Sequence, residues 1–104
     1  MDISVKELDA MRKEGKQHML LDIREPQELA IAALEGAVHI PMNTIPGNLD
    51  KLPKDKPLVV MCHMGGRSYQ VTQWLRSQGW DNAVNLEGGI SAWSAEIDPK
   101  VPMY

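Results

Sequence analysis

Short apolar runs alternate along the chain with segments whose apolar residues recur every three or four positions. Ser4 precedes the first such segment and Glu7 stands three residues on, the pairing that caps a helix N-terminus. Leu8 and Met11 follow at helical spacing, and Gly15 ends the helix. Met19 to Ile23 reads as a strand. Pro26 suits the first turn of a helix that Gln27 to Leu34 continues. Ala37 to Ile40 reads as a second strand. Pro41 to Pro57 is rich in Pro, Gly, Asn and Asp and reads as a loop, with room for a short helix near Asn48 to Leu52. Leu58-Val59-Val60-Met61-Cys62 is apolar throughout, as in a strand buried on both faces. A helix is predicted from Gly66 to Gln78, with Val71, Trp74 and Leu75 on one face. Ala83 to Leu86 forms another strand, and a last helix begins near Gly88 and carries Ile90, Trp93 and Ile97. In the tail from Asp98 to Tyr104, Pro99 and Pro102 oppose regular structure, so it either packs back or hangs free.

Strands alternating with helices predict an α/β layer with a mainly parallel sheet and helices on both faces. Reactive groups in such sheets lie beyond the carboxyl ends of the strands. Cys62 ends the most apolar strand.

The 104 residues fit one domain, residues 1–104, and 43% hydrophobic residues suffice for one modest core. The net charge of −3 provides no electrostatic reason to expect nucleic acid or an anionic membrane as partner. No apolar run approaches the roughly 20 residues that span a bilayer. Asp2, Glu7 and Asp9 make the N-terminus unlike a secretory signal. A single cysteine excludes an internal disulfide and suits a reducing, cytoplasmic setting.

That cysteine opens the stretch Cys62-His63-Met64-Gly65-Gly66-Arg67-Ser68, which joins the buried strand to a helix. A thiol attacks well only as its thiolate. The positive end of the following helix, backbone N–H groups that Gly65 and Gly66 let curl toward the sulfur, and the Arg67 guanidinium all favour that form, with His63 a lesser contributor. The bland alternative is a cysteine that only packs. The Gly-Gly turn, the arginine and the strand-end position favour the nucleophile instead. Cys62, His63 and Met64 are ligand types that suit copper, but three adjacent residues rarely converge on one ion, so no metal is expected. A nucleotide-binding phosphate loop is unsupported, because the Gly-x-x-x-x-Gly-Lys-Ser/Thr pattern is missing. Cysteine phosphatases place five residues between Cys and Arg. Only four residues, His63 to Gly66, stand between Cys62 and Arg67, a loop sized for one sulfur atom rather than a bonded phosphate.

Four segments resemble the single-domain rhodanese family of sulfurtransferases. Asp22-Ile23-Arg24-Glu25-Pro26 with Glu28 resembles its Asp-Val-Arg-Glu-Pro-x-Glu segment. Gly36-Ala37-Val38-His39-Ile40-Pro41 resembles a reduced form of its Gly-His-Ile-Pro-Gly-Ala segment with the Ile-Pro that follows. Cys62 to Arg67 matches its six-residue active loop, with His63 where arginine is common. Leu86-Glu87-Gly88-Gly89-Ile90-Ser91-Ala92-Trp93 matches its Leu-x-Gly-Gly-x-x-Ala-Trp segment. The resemblance implies a rhodanese-like fold with about five strands. It also implies transfer of a sulfane sulfur from a donor such as thiosulfate, through a Cys62 persulfide, to cyanide or a thiol, without a cofactor. A module that passes persulfide between proteins is the alternative, ahead of a phosphatase or arsenate reductase.

Asp22, Arg24 and Glu25 follow a strand end and are expected to hold the loop rim through ion pairs and hydrogen bonds, with Ser68 in a supporting role at the start of the helix. His39 is expected to be packed and hydrogen-bonded near a turn, and His18 to lie at the surface. Trp74, Trp80 and Trp93 are expected in or at the edge of the core. Met64, inside the loop, is placed to shape an apolar mouth.

Overall fold

Leu58–Met61 forms the middle strand of the computed structural model, which describes residues 1–104. In chain order the elements are β1 (Asp2–Ile3), α1 (Val5–Lys13), β2 (Met19–Asp22), α2 (Pro26–Leu29), β3 (Val38–His39), a 3-10 segment (Met42–Lys51), β4 (Leu58–Met61), α3 (Gly66–Ser77), β5 (Ala83–Leu86) and α4 (Gly89–Glu96). The strands lie in the order β1-β5-β4-β2-β3, and every pairing is parallel.

All four residues of β4 are buried, because it has a core on each side. Leu58, Val60 and Cys62 face Leu21, Ile23, Ile45, Val71 and Leu75, under α3 and the 3-10 segment. Val59 and Met61 face Val5, Leu8, Leu20, Leu86, Ile90 and Trp93, under α1 and α4. This two-sided burial explains the unbroken apolar run in the sequence. No helix is long and apolar enough to cross a membrane.

The predicted cap of α1 is present: the Glu7 N–H donates to Ser4 Oγ at 3.1 Å, and Glu7 Oε1 accepts from the Ser4 N–H at 3.2 Å. Several elements differ from expectation. α2 stops at Leu29 rather than Leu34. Beyond it the chain turns, and the Ala32 carbonyl accepts from Arg24 Nη2 at 2.9 Å. The 3-10 segment begins six residues earlier than the short helix read near Asn48; Pro46 lies inside it and Asn48 breaks it with non-helical angles. β1 was not visible as an apolar run, since it is two residues long and is held by its register with Asn85 and Leu86. Trp80 and Trp93 are buried, whereas Trp74 is 37% exposed. His18 is half-buried, with Nδ1 2.7 Å from the Lys16 carbonyl. The tail folds back, carrying Tyr104 to the carboxyl end of the sheet.

Candidate active site

Cys62 follows the last residue of β4 and is 1% exposed. From there the chain curls back under its own sulfur. Gly65 adopts φ +104°, a left-handed conformation that side chains disfavour, and its N–H donates to Cys62 Sγ at 3.1 Å. The Ser68 N–H reaches the same sulfur at 3.4 Å, and Ser68 Oγ lies 3.3 Å from it. Gly66 is the first residue of α3, has no positive φ and has open space where a Cβ would go. Of the two glycines, Gly65 alone is demanded by the turn. Burial pushes the Cys62 thiol up; the Ser68 hydroxyl and the N–H groups of Ser68, Gly65 and Met64 more than offset this, so the thiol sits below its ordinary value. The amino-terminal end of α3 adds positive potential in the same direction.

The loop is fastened from behind by α4. Ile90 N–H donates to the Cys62 carbonyl and Ser91 N–H to the His63 carbonyl, each at 3.0 Å. Gly89, with φ +58°, makes this approach possible: a Cβ there would lie 2.5 Å from both carbonyl oxygens.

Arg67 does not donate to the sulfur. Its Nη1 and Nη2 donate to Glu28 Oε1 and Oε2 at 2.8 and 2.9 Å. Glu28 Oε1 also accepts from the Glu25 N–H at 3.1 Å, and Oε2 from the Tyr104 hydroxyl at 2.8 Å. Tyr104 in turn accepts from Arg24 Nη1 at 2.8 Å. Arg24 is completely buried and grips the Asp22 carboxylate through Nε at 2.9 Å and Nη2 at 2.7 Å. Burial lowers the Arg24 pKa, but the bonds to Asp22 and Tyr104 outweigh it and hold the cation. Burial also raises the Tyr104 phenol, which keeps its proton for Glu28. The Tyr104 ring stacks on His63, with centroids 3.8 Å apart and planes 8° apart. Met64 is 68% exposed at the mouth.

Comparison with known proteins places this geometry. The sequence profile of the Rhodanese-like domain matches residues 4–96. The chain belongs to the rhodanese-like domain family. It is 39% identical to the putative sulfurtransferase YtwF of Bacillus subtilis over 95% of both chains. Its fold matches the crystal structure of a rhodanese-like domain protein from Staphylococcus aureus with a TM-score of 0.85 at 33% identity, covering 100% of this chain and 99% of that one. It is also 34% identical, over 98% of its length, to adenylyltransferase and sulfurtransferase UBA4 of Meyerozyma guilliermondii. The chain spans 26% of the length of that protein and 37% of the length of an Arabidopsis thaliana relative.

In this rhodanese-like domain the structure gathers Cys62, His63, Met64 and Gly65 in one loop and Gly66, Arg67 and Ser68 in the first turn of α3, with Asp22 and Arg24 buried behind them. Glu25 takes part through its backbone: its N–H donates to Glu28 Oε1 at 3.1 Å and its carbonyl accepts from the Glu28 N–H at 2.9 Å. His39 Nε2 lies 2.6 Å from the Arg24 carbonyl, the packed position expected of it. Three residues outside the predicted set join the site: Glu28, Tyr104 and Asn85, whose Oδ1 lies 2.5 Å from Ser68 Oγ. Glu28 had a signal, since it stands three residues after Glu25 at the start of a Pro-initiated helix. Nothing local in the sequence marks Tyr104, which lies 76 residues from Glu28.

The Arg67 bonds hold Glu28 well below the usual carboxylate range, at about 2. A depressed carboxylate stabilises the fold above its unfolded pKa of about 4.5, and that contribution fades as pH falls through about 2. The side-chain carboxyl carbon of Glu28 should therefore titrate near pH 2 by NMR, and Arg67→Ala should return the midpoint toward 4.5. A midpoint near 4.5 in the parent chain would mean that the pair is not formed in solution.

Proposed function

We propose that this domain is a sulfurtransferase that carries a sulfane sulfur on Cys62. The carrying observation is a buried sulfur at a strand end, met by the Gly65 and Ser68 N–H groups. Such a cradle stabilises a sulfur anion without a metal. In the proposed cycle the Cys62 thiolate attacks the outer sulfur of thiosulfate. The S–S bond of the donor breaks, sulfite leaves with the bonding pair, and a Cys62 persulfide remains. Cyanide or a thiolate then attacks the outer persulfide sulfur and restores the Cys62 thiolate. This is a two-step covalent exchange.

Several features support sulfur over phosphate. Four residues separate Cys62 from Arg67, and Arg67 is already held by both oxygens of Glu28. An arginine so paired offers little to a bound phosphate dianion. The same pairing weakens its pull on thiosulfate and leaves room for a persulfide donor of lower charge. Met64 and the half-exposed Tyr69 leave the mouth open to a protein partner. Some relatives join a similar domain to an adenylyltransferase, which favours protein-to-protein relay as the second reading.

Intact mass after exposure to thiosulfate, and separately to a low-molecular-weight persulfide, tests the proposal. One added sulfur that disappears in Cys62→Ala is expected. No added sulfur from either donor, or an addition that survives Cys62→Ala, would overturn it. Faster loading from a persulfidated protein than from thiosulfate would select the relay reading.

A further inference from the structure

Asn85 sits on the face of β5 that also presents Ala83 to the core around Cys62, Val60 and Val71. It is 4% exposed, in register with Val60 of β4. An amide buried there needs a partner. Its one partner within the chain is Ser68 Oγ, 2.5 Å from Oδ1. The same Ser68 oxygen lies 3.3 Å from Cys62 Sγ. A hydroxyl has one proton, so Ser68 can donate to Asn85 or to the sulfur, and not to both.

With Oδ1 facing Ser68, the hydroxyl proton goes to Asn85. The Ser68 oxygen is then free to accept from a Cys62 S–H. That arrangement suits the thiol. It fails a thiolate, which can only accept. A half-turn of the amide brings Nδ2 to the place of Oδ1. The amide then donates to Ser68 Oγ, and the Ser68 proton points at the sulfur.

We propose that Asn85 is a positioning residue whose side-chain amide turns over when Cys62 ionises, aiming the Ser68 hydroxyl at the thiolate. The thiol proton passes to water, and apart from the S–H bond only hydrogen bonds change. Asn85 acts through Ser68 and never touches the sulfur donor. The Ser68 hydroxyl is also the leading group that lowers the Cys62 thiol, so a residue that sets its direction sets how much thiolate is available. The inference rests on Cys62 as the reacting sulfur and is independent of its donor. Its test reads ionisation rather than transfer, so it can fail while sulfur transfer stands, and the reverse.

The experiment is the pH profile of Cys62 alkylation by iodoacetamide in the parent chain, Asn85→Ala, Ser68→Ala and the double variant. Asn85→Ala should raise the apparent pKa by roughly 0.5–1 unit, which means about 3–10-fold slower alkylation below the midpoint. In the Ser68→Ala background it should add nothing. A profile that Asn85→Ala leaves unmoved, or an equal shift in both backgrounds, would overturn the proposal. NMR of the folded parent supplies a reading that does not need Asn85→Ala to fold. The Asn85 side-chain amide signals should move through the alkylation midpoint, and this movement should vanish in Ser68→Ala. Signals that stay still in the parent, or that move equally without the Ser68 hydroxyl, would refute the amide turn.

Discussion

Arg24→Met should lower stability by about 3–5 kcal/mol, the usual cost of removing one partner of a buried ion pair. At about 4–8 °C per kcal/mol for a domain near 100 residues, the melting temperature should fall by roughly 12–40 °C. The reason lies with the partner left behind. Asp22 is 1% exposed, and its carboxylate is held by Arg24 Nε, Nη2 and backbone N–H. Methionine fills much of the volume but leaves that charge without a counter-ion. It also strands the Ala32 carbonyl and removes the donor to Tyr104. Arg24→Met combined with Asp22→Leu removes both charges and should recover a large part of the loss. Thermal and urea melts of the two variants decide the matter. A single variant within about 1 kcal/mol of the parent, or a double variant less stable than the single, would contradict the buried-charge account.

The expected network at the loop rim and the one observed differ in their centre. Asp22, Arg24 and Glu25 were legible because they follow a strand end. Glu25 turns out to serve through its backbone, and the carboxylate that receives Arg67 is Glu28. Helical periodicity also does not forecast the end of α2 at Leu29, beyond which the Ala32 carbonyl accepts from the Arg24 side chain. The strands were read well where both faces are buried. The Ile23 N–H bond to the Met61 carbonyl and the Ile40 N–H bond to the Asp22 carbonyl carry the ladder one residue past β2 and β3, which accounts for the slightly longer runs in the sequence. β1 and Tyr104 share one reason for being missed. Each is fixed by contacts far along the chain, Asp2 with Asn85 and Tyr104 with Arg24, and neither has a local pattern of its own. Asn85 carried a faint mark, as the one polar residue in the run Ala83 to Leu86. A polar residue at an inward strand position calls for a partner, but its identity as Ser68 needs the register of β5 against α3.

The Leu86 to Trp93 segment acts on the chemistry at a distance through Gly89, and this yields the second large expectation. Gly89→Ala should reduce Cys62-dependent sulfur loading by about 100-fold or more, on the scale of a 1 Å misplacement of reacting groups. The added Cβ would meet the Cys62 and His63 carbonyl oxygens at 2.5 Å, and both are backbone atoms that cannot swing aside like a side-chain tip. The left-handed φ of +58° opposes the substitution as well. Either α4 retreats or the loop does. Both movements lengthen the bonds from Ile90 N–H and Ser91 N–H, which fix the two carbonyls at the start of the loop. Gly65 N–H and Ser68 N–H then lose their alignment on the sulfur, so the alkylation profile of Cys62 should move to higher pH along with the loss of loading. Gly66→Ala provides the contrast in stability: its Cβ meets nothing within 4 Å and its φ is not left-handed, so the melting temperature should stay within a few degrees of the parent. If Gly89→Ala instead loads sulfur at the parent rate with an unmoved alkylation profile, the loop does not depend on α4 for its shape. The glycine pair would then be explained by packing alone.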